Sequence, residues 1–235
     1  MNKSTVEEIR ERFDDDVERF SNLETGQVST IDAALSLELI TESARRINPR
    51  ATRLLDIGCG GGNFTLMMLT KIPNLHCTLI DLSRPMLERA HERITRETKG
   101  EVVTLQGDIR EVDLQNDAYD IILAGAVLHH LREESEWEFV FSKLYKILSH
   151  GGCLMISDLV LQDSEMLNDY IWEKYGTFLE GVGGAEYKSK VFDYIEKEDS
   201  PRSLFYQLEL MKRVGFGHVE VLHKNICFAA YGGIK

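Results

Sequence analysis

Alternating glycines follow a short apolar run in the first third of the chain. Residues 54–65 read LLDIGCGGGNFT, in which Gly58, Gly60 and Gly62 alternate after Asp56. A glycine turn between a strand and a helix brings backbone N–H groups close to a nucleotide. The alternating spacing leaves those groups open to a flexible amino-acid tail, and the Asp56 carboxylate suits an ammonium group. The loop therefore favours a nucleotide that carries an amino-acid tail.

A dinucleotide cofactor is the alternative for the same turn. Its fingerprint places a third glycine, or an alanine, at the sixth position. That position is Asn63 when counted from Gly58 and Thr65 when counted from Gly60. Neither frame completes the fingerprint, so the turn, with Cys59 inside it, fits a pyrophosphate less well.

Asp81 follows the next apolar run, about 20 residues beyond the glycine turn. A carboxylate at this place accepts hydrogen bonds from both ribose hydroxyls. Leu82 and Met86 would then offer apolar contact to a nucleobase. Alternatively, Asp81 is a surface carboxylate that caps the helix after Ser83, and the two apolar side chains belong to the core.

Three further side chains are candidates for proton transfer. His129 and His130 follow a later apolar run, and imidazole titrates near neutral pH, so either could be a general base. Asp158 ends another such run and is a second kind of base candidate. The histidine pair could equally cap or pack a helix.

The elements that position these residues follow from periodicity. A regular alternation of strands and helices predicts a parallel sheet with helices on both faces. The predicted strands lie at residues 53–57, 76–80, 102–106, 119–124 and 153–159, and the helices between them at 62–71, 84–97 and 134–149.

Flanking segments complete the prediction. Before the sheet we expect a helix at 5–20, a loop at 21–29 and a second helix at 30–47. After the fifth strand we expect an insertion at 163–199, followed by a helix that begins at Ser200-Pro201 and ends at Gly215. The chain should end in a β-hairpin at 218–231 with its turn near Lys224-Asn225. The insertion carries aromatic residues that either contact substrate or form the core of a helical cap: Tyr170, Trp172, Tyr175, Phe178 and Tyr187.

Composition narrows the function classes. Twenty-seven Lys and Arg against 39 Asp and Glu give a net charge of −12, which argues against nucleic acid as the partner. The 4 cysteines are far apart, so they predict neither a disulfide framework nor a metal site. We expect no membrane span and no export signal, and hence a cytoplasmic protein.

Five stretches in order resemble the successive motifs of class I S-adenosylmethionine-dependent methyltransferases. They are DIGCGGG at 56–62, LIDLS at 79–83, GDI at 107–109, YDII at 119–122 and LSHGG at 148–152. The resemblance implies a doubly wound Rossmann-like α/β sheet of about seven strands, mostly parallel, with an antiparallel C-terminal hairpin strand, N-terminal helices and a helical cap insertion.

The resemblance also implies functional roles. The cofactor would be S-adenosylmethionine, with S-adenosylhomocysteine as product and a small molecule as acceptor. Asp108 would receive the exocyclic amine of adenine and Ile109 would cover its ring, while Ala124 begins the segment where methyl donor and acceptor meet. We expect one domain over 1–235, divided into an N-terminal helical cap (1–50), a cofactor-binding core (51–160), a cap insertion (161–200) and a closing helix with hairpin (201–235).

A narrower resemblance is to relatives of carboxy-S-adenosylmethionine synthase. It lies in the N-terminal helix, the insertion and the ending FAAYGG at 228–233. That activity implies an arginine that holds an extra carboxylate, whereas residues 187–190 read YKSK, and lysine does not replace the guanidinium fork. A carboxy-S-adenosylmethionine synthase, an NAD-dependent oxidoreductase and a non-catalytic nucleotide-binding module stay open as alternatives, as does a homodimer.

Overall fold

The computed structural model describes residues 3–22 and 26–235. The described part contains seven strands and eight α-helices. The strands are β1 (Arg53–Ile57), β2 (His76–Asp81), β3 (Val102–Gln106), β4 (Tyr119–Gly125), β5 (Leu148–Leu159), β6 (His218–Asn225) and β7 (Phe228–Ile234). The helices are α1 (Val6–Asp15), α2 (Val17–Ser21), α3 (Ala33–Ile47), α4 (Asn63–Lys71), α5 (Arg84–Thr95), α6 (Glu134–Ile147), α7 (Glu165–Glu198) and α8 (Leu204–Val214), with a 3-10 turn at Leu128–His130.

One sheet holds all seven strands in the order β3-β2-β1-β4-β5-β7-β6. Strands β1 to β5 pair in parallel, and β7 runs antiparallel to both β5 and β6. The strand order reverses on either side of β1, where β1 pairs with both β2 and β4. Crevices at such switch points hold ligands beyond the carboxyl ends of the strands. The predicted fold class is confirmed.

Apolar side chains cover both faces of the sheet, as a parallel sheet requires. On one face, Leu37 of α3 and Met68 of α4 pack in a buried cluster with the strands. On the other face, Trp137 and Phe141 of α6 and Leu210 of α8 do the same. In the described residues, no helix is long and apolar enough to cross a membrane.

The N-terminal prediction of one helix over 5–20 is wrong. The chain forms α1 and α2, separated at Asp16, whose φ of −108° and ψ of 16° are not helical. Consecutive aspartates at 14–16 favour this break, because their short carboxylates compete with the helix for backbone hydrogen bonds. The predicted loop at 21–29 falls partly on residues 23–25, outside the described residues, and the next helix begins at Ala33 rather than at residue 30.

Two further boundaries differ near the C-terminus. Helix α8 is capped by Ser203, whose hydroxyl accepts from the Tyr206 N–H at 3.2 Å, and not by Ser200-Pro201. The Ser200 N–H instead donates to the His129 carbonyl at 2.6 Å, which ties this segment to the 3-10 turn. Gly215 ends α8 as predicted. The hairpin turn lies at 226–227 rather than near Lys224-Asn225.

Helix α7 fills the predicted insertion and is kinked at Gly184, whose φ of 80° and ψ of −177° are not helical. Its aromatic residues build a separate small core. Tyr175 and Leu179 are buried there against Ile31 and Leu159. Trp172, Phe178 and Tyr187 pack at its edge, whereas Tyr170 is exposed.

Candidate active site

A cavity of about 230 Å³ opens beyond the carboxyl ends of the parallel strands. The glycine loop forms one wall. Gly58 and Gly60 have φ of 62° and 49°, a region that side chains rarely adopt. A Cβ at Gly58 would lie 2.5 Å from Val127, whereas one at Gly60 would meet nothing within 4 Å. The loop at Gly60 therefore leaves room for a ligand beside its backbone.

Asp81 is fixed at the end of β2 by the loop itself. Its Oδ2 accepts from the Gly60 N–H at 2.8 Å, and its Oδ1 accepts from the Ser83 N–H at 2.9 Å. Burial raises the pKa of Asp81 to about 6, against the opposing effect of these amide bonds. The side chain lines the cavity. A carboxylate held at both oxygens presents its remaining lone pairs in a set direction.

The other predicted cofactor residues divide into two groups. Cys59, Leu82, Met86, Asp108 and Ile109 line the cavity, as do Gly58, Gly60 and Asp81. Asp56 and Ala124 do not line it. In each case strand alternation is the reason, because successive side chains of a strand point to opposite faces.

Asp56 lies beneath the loop, with 1% of its surface exposed. Its Oδ2 accepts from the Thr65 hydroxyl at 2.7 Å, and burial raises its pKa to about 7. Such a carboxyl supports the loop from behind rather than facing a ligand. At the end of β4, Gly125 rather than Ala124 reaches the cavity, and a Cβ on Gly125 would lie 2.5 Å from the Phe64 ring.

Asp108 is held by a neighbouring cation. Arg110 donates from Nε to Asp108 Oδ1 at 2.9 Å and also pairs with Glu136. Burial disfavours the charge of Asp108, but the hydrogen bonds from Arg110 outweigh it, and the pKa stays below its usual range. The sequence did not single out Arg110, although its position two residues after Asp108 is visible there.

The proton-transfer candidates meet at the opposite wall of the cavity. Asp158 Oδ2 accepts from the Leu128 N–H at 2.8 Å and from the His129 N–H at 3.2 Å, and its Oδ1 bonds the His129 Nδ1. Only 3% of Asp158 is exposed. These bonds occupy its carboxylate, so Asp158 orients the His129 ring rather than accepting a proton from a substrate.

Asp199 joins the pair of histidines from the end of α7. Its Oδ1 lies 3.6 Å from His129 Nε2 and 3.3 Å from His130 Nδ1. Sequence reasoning missed Asp199, because it comes from the end of α7, far along the chain from the pair. A single aspartate after a helix carries no local signal.

The two histidines differ in charge. Burial lowers the pKa of His129, but the charges of Asp158 and Asp199 and the bond to Asp158 raise it overall, to about 9. Burial and the charge of His129 together hold the pKa of His130 well below its usual value. At neutral pH His129 is therefore an imidazolium, and only the neutral His130 can act as a base.

This raised pKa predicts a pH-dependent stability. An imidazole with pKa 6.5 in the unfolded chain and about 9 in the folded chain stabilises the fold fully below pH 6.5. The contribution, at most about 3 kcal/mol, declines above pH 6.5 and is lost as the pH rises through about 9. We expect His129→Gln to be destabilised at pH 6 and to lose less free energy of unfolding than the unaltered chain between pH 6.5 and 9.

Urea unfolding at stepped pH measures this difference. His150→Gln is the matched control, because His150 is exposed on β5. Identical pH profiles for the unaltered chain and His129→Gln would rule out the assigned charge state.

The N-terminal helices and α7 roof the cavity. Phe13 of α1, Phe20 of α2 and Tyr175 of α7 line it, and Tyr175 donates its hydroxyl to the Ser29 carbonyl at 2.9 Å. The Asn63 amide donates to the Phe20 carbonyl at 2.8 Å, which joins α2 to the glycine loop. This roof covers part of the cavity and so limits its contact with solvent, a condition that favours transfer between bound groups.

A part-buried ion pair joins helix α1 of the roof to the end of α7. Arg12 Nε donates to Glu198 Oε1 at 2.8 Å, and the Glu198 side chain is 7% exposed. Loss of one partner of a buried pair leaves a charge without compensation. We expect Arg12→Met to lower the free energy of unfolding by about 3 kcal/mol in urea titrations. Arg46→Met is the matched control at an exposed pair, with an expected loss below about 1 kcal/mol.

Comparison with known proteins agrees with this architecture. A family model described as a methyltransferase domain matches residues 55–154. The carboxy-S-adenosyl-L-methionine synthase of a Shewanella species is 27% identical over 203 residues, 85% of this chain and 82% of that protein. These matches support a class I S-adenosylmethionine-dependent methyltransferase family for this chain, with the methyltransferase domain matched at residues 55–154. The cofactor of this methyltransferase family is S-adenosylmethionine.

Solved structures share the methyltransferase fold at low identity. A S-adenosylmethionine-dependent methyltransferase of Thermotoga maritima has a TM-score of 0.59 at 20% identity, covering 97% of this chain and 99% of that chain. An O-methyltransferase family protein of Burkholderia thailandensis has a TM-score of 0.64 at 15% identity, covering 98% of this chain. The present chain spans only 60% of the Burkholderia protein.

Proposed function

We propose that this methyltransferase transfers a methyl group to a small molecule by direct displacement. The observation that carries the proposal is the roofed cavity, which has the Asp81 carboxylate at one wall and the two histidines at the other. A concave, partly covered space of this kind suits a small acceptor better than a macromolecular one. S-adenosylmethionine supplies a methyl group that is already activated on its sulfonium, so the protein must mainly align the reactants and exclude water.

The residues of the first wall fit this cofactor. The amino-acid tail would lie along Gly58, Cys59 and Gly60, where the open space beside Gly60 admits it. Asp81 would accept from the ribose hydroxyls. The apolar side chains of Leu82, Met86 and Ile109 would contact adenine, with Asp108 near its exocyclic amine. Asp56 would lie beneath the loop that contacts the amino-acid tail. Ala124 would precede Gly125 in β4 without lining the cavity.

The second wall would receive the acceptor. Small residues from Gly125 to Val127 permit close approach to the sulfonium. His130 is neutral and has a buried Nδ1, so it is the base that we propose for an acceptor that must lose a proton. His129, as an imidazolium, would attract a negatively charged part of the acceptor.

The carboxy-S-adenosylmethionine synthase alternative keeps support from the curated relatives. The lysines at 188 and 190 do not supply the missing arginine, since Lys188 pairs with Glu180 at 2.8 Å and does not line the cavity. Three arginines do line it: Arg12, Arg19 and Arg110. Arg12 binds Glu198, Arg19 binds Asp16, and Arg110 binds Asp108 and Glu136, so all three already have a carboxylate partner.

Two measurements separate these functions. Mass spectrometry of the nucleotide that co-purifies with the chain distinguishes the carboxylated cofactor from S-adenosylmethionine and S-adenosylhomocysteine. Incubation with methyl-labelled S-adenosylmethionine and a metabolite extract then tests transfer, and we expect label in the fraction of small molecules. Label only in protein or nucleic acid would contradict a small acceptor, and cofactor binding without any transfer would favour a non-catalytic module.

The remaining expectations from the sequence are carried as part of the proposal. The chain would act in the cytoplasm as one domain with the division predicted above. The acidic net charge of the chain disfavours nucleic acid as its partner. Size-exclusion chromatography with light scattering would decide between a monomer and a homodimer.

A further inference from the structure

Three side-chain atoms that could bind a metal ion lie together at the wall of the cavity that holds the two histidines. His129 Nε2, His130 Nδ1 and Asp199 Oδ1 all lie within 4.8 Å of one another. Asp199 Oδ1 is 3.6 Å from the first nitrogen and 3.3 Å from the second. All three residues line the cavity. A ligand that enters the cavity can therefore reach this group.

Two of these atoms lack a hydrogen-bond partner among residues 3–22 and 26–235. Both His130 Nδ1 and Asp199 Oδ1 are buried without one. The Asp199 side chain is 4% exposed, and the 3.6 Å to His129 Nε2 is too long for a hydrogen bond. A buried carboxylate oxygen without a donor is costly, so it needs a cation beside it, which is either the His129 imidazolium described above or a metal ion that replaces the proton of that ring.

The surroundings of His129 orient its ring for such a cation. Its Nδ1 bonds the Asp158 carboxylate, which is itself held by the N–H groups of Leu128 and His129. Histidines that bind metals commonly donate their second ring N–H to a carboxylate in this way. Nε2 is thereby directed at Asp199 and His130.

The two distances to Asp199 Oδ1 can be compared with the spacing of ligand atoms around bound metals. Bonds of 2.0–2.1 Å in a tetrahedral site place neighbouring ligand atoms about 3.3 Å apart, whereas an octahedral site places them about 3.0 Å apart. The two distances to Asp199 Oδ1, 3.3 and 3.6 Å, are closer to the tetrahedral value. Two imidazoles and one carboxylate are also ligands that zinc accepts.

We propose that His129, His130 and Asp199 bind a divalent transition-metal ion, with zinc favoured, whose fourth position faces the cavity. In zinc enzymes three protein ligands leave that position to water or substrate. The assignment of this fourth position to an oxygen, nitrogen or sulfur atom of the acceptor rests on the proposed function. The metal site itself does not rest on it. The ion would replace the proton on His129 Nε2 and occupy His130 Nδ1, so in the metal-bound chain the ion would take over the roles proposed above for the two histidines, and those roles apply to the metal-free chain.

Metal binding by the full chain tests this proposal. After chelator treatment and dialysis, the protein is titrated with cobalt(II), whose tetrahedral complexes absorb visible light strongly, and zinc content is measured by plasma mass spectrometry. We expect one ion per chain and a tetrahedral cobalt spectrum. His130→Gln and Asp199→Asn should each weaken binding at least about 10-fold, and Asp158→Asn by about 10-fold.

His150→Gln controls for adventitious binding at an exposed histidine and should change nothing. Circular dichroism verifies that each variant folds, and the cobalt spectrum of the unaltered chain decides the matter without any variant. The proposal is overturned by less than one tightly held ion per chain, by an octahedral cobalt spectrum, or by equal binding in His130→Gln and His150→Gln. Calorimetry with S-adenosylhomocysteine on the same metal-free protein separates failure of the metal site from failure of the proposed function.

Discussion

Asp81→Asn is expected to weaken the binding of S-adenosylhomocysteine about 100-fold. The carboxylate would accept from two ribose hydroxyls, and a hydrogen bond to a charged group is worth about 1.5–3 kcal/mol. The amide keeps the shape and one acceptor oxygen, so about 3 kcal/mol is lost, or two decades in affinity. Calorimetric titration of the purified chain measures the change.

The matched control is Asp169→Asn, which makes the same substitution at an exposed position of α7. It should leave affinity unchanged. Because Asp81 also accepts from the N–H groups of Gly60 and Ser83, thermal unfolding of Asp81→Asn must be recorded alongside. Unchanged affinity in a folded Asp81→Asn would show that the carboxylate does not bind the ribose.

Gly58→Ala is expected to lower the free energy of unfolding by about 3 kcal/mol. Its positive φ costs an alanine about 1–2 kcal/mol, and the added Cβ would lie 2.5 Å from Val127. Overpacking of this kind costs about 1–3 kcal/mol. Urea unfolding measures the loss.

Two companion variants separate the sources of that loss. Val127→Gly removes both the Cγ2 and the Cβ that would lie within 2.7 Å of the added methyl group, so the double variant with Gly58→Ala should show a favourable coupling of at least about 1 kcal/mol. Gly60→Ala meets open space and should suffer only backbone strain, yet its methyl group would occupy room needed by the ligand and weaken S-adenosylhomocysteine binding at least about 10-fold. Additive effects of Gly58→Ala and Val127→Gly would contradict the packing described for this turn.

The strands of the sheet could be predicted because a local sequence pattern marks each of them. Strands β1 and β3 match the predicted ranges at both ends, since each is a short β-prone run bounded by polar or glycine residues. Asp81 was predictable for the same reason, as a carboxylate at a strand end at a set distance from the glycine turn. Parallel strands bring such ends to one edge of the sheet whatever the remaining chain does.

The wall of the cavity that holds His129, His130 and Asp199 was harder to predict from the sequence, because it depends on tertiary contacts. Asp199 reaches the histidines only through the path of α7, and the Ser200 segment bonds the 3-10 turn instead of capping α8. We predicted Asp56 to contact the ligand because β1 is buried on both faces, so its sequence does not show to which face of the strand the Asp56 side chain points. The charge of His129 follows from two carboxylates that are remote in sequence.

Competitive calorimetry of the unaltered chain with S-adenosylhomocysteine and NAD tests the central claim most directly. We expect one molecule of S-adenosylhomocysteine to bind per chain, S-adenosylmethionine to displace it, and NAD to have no effect. Binding of NAD together with no binding of either sulfur nucleotide would contradict the assignment of the cavity to a methyl donor.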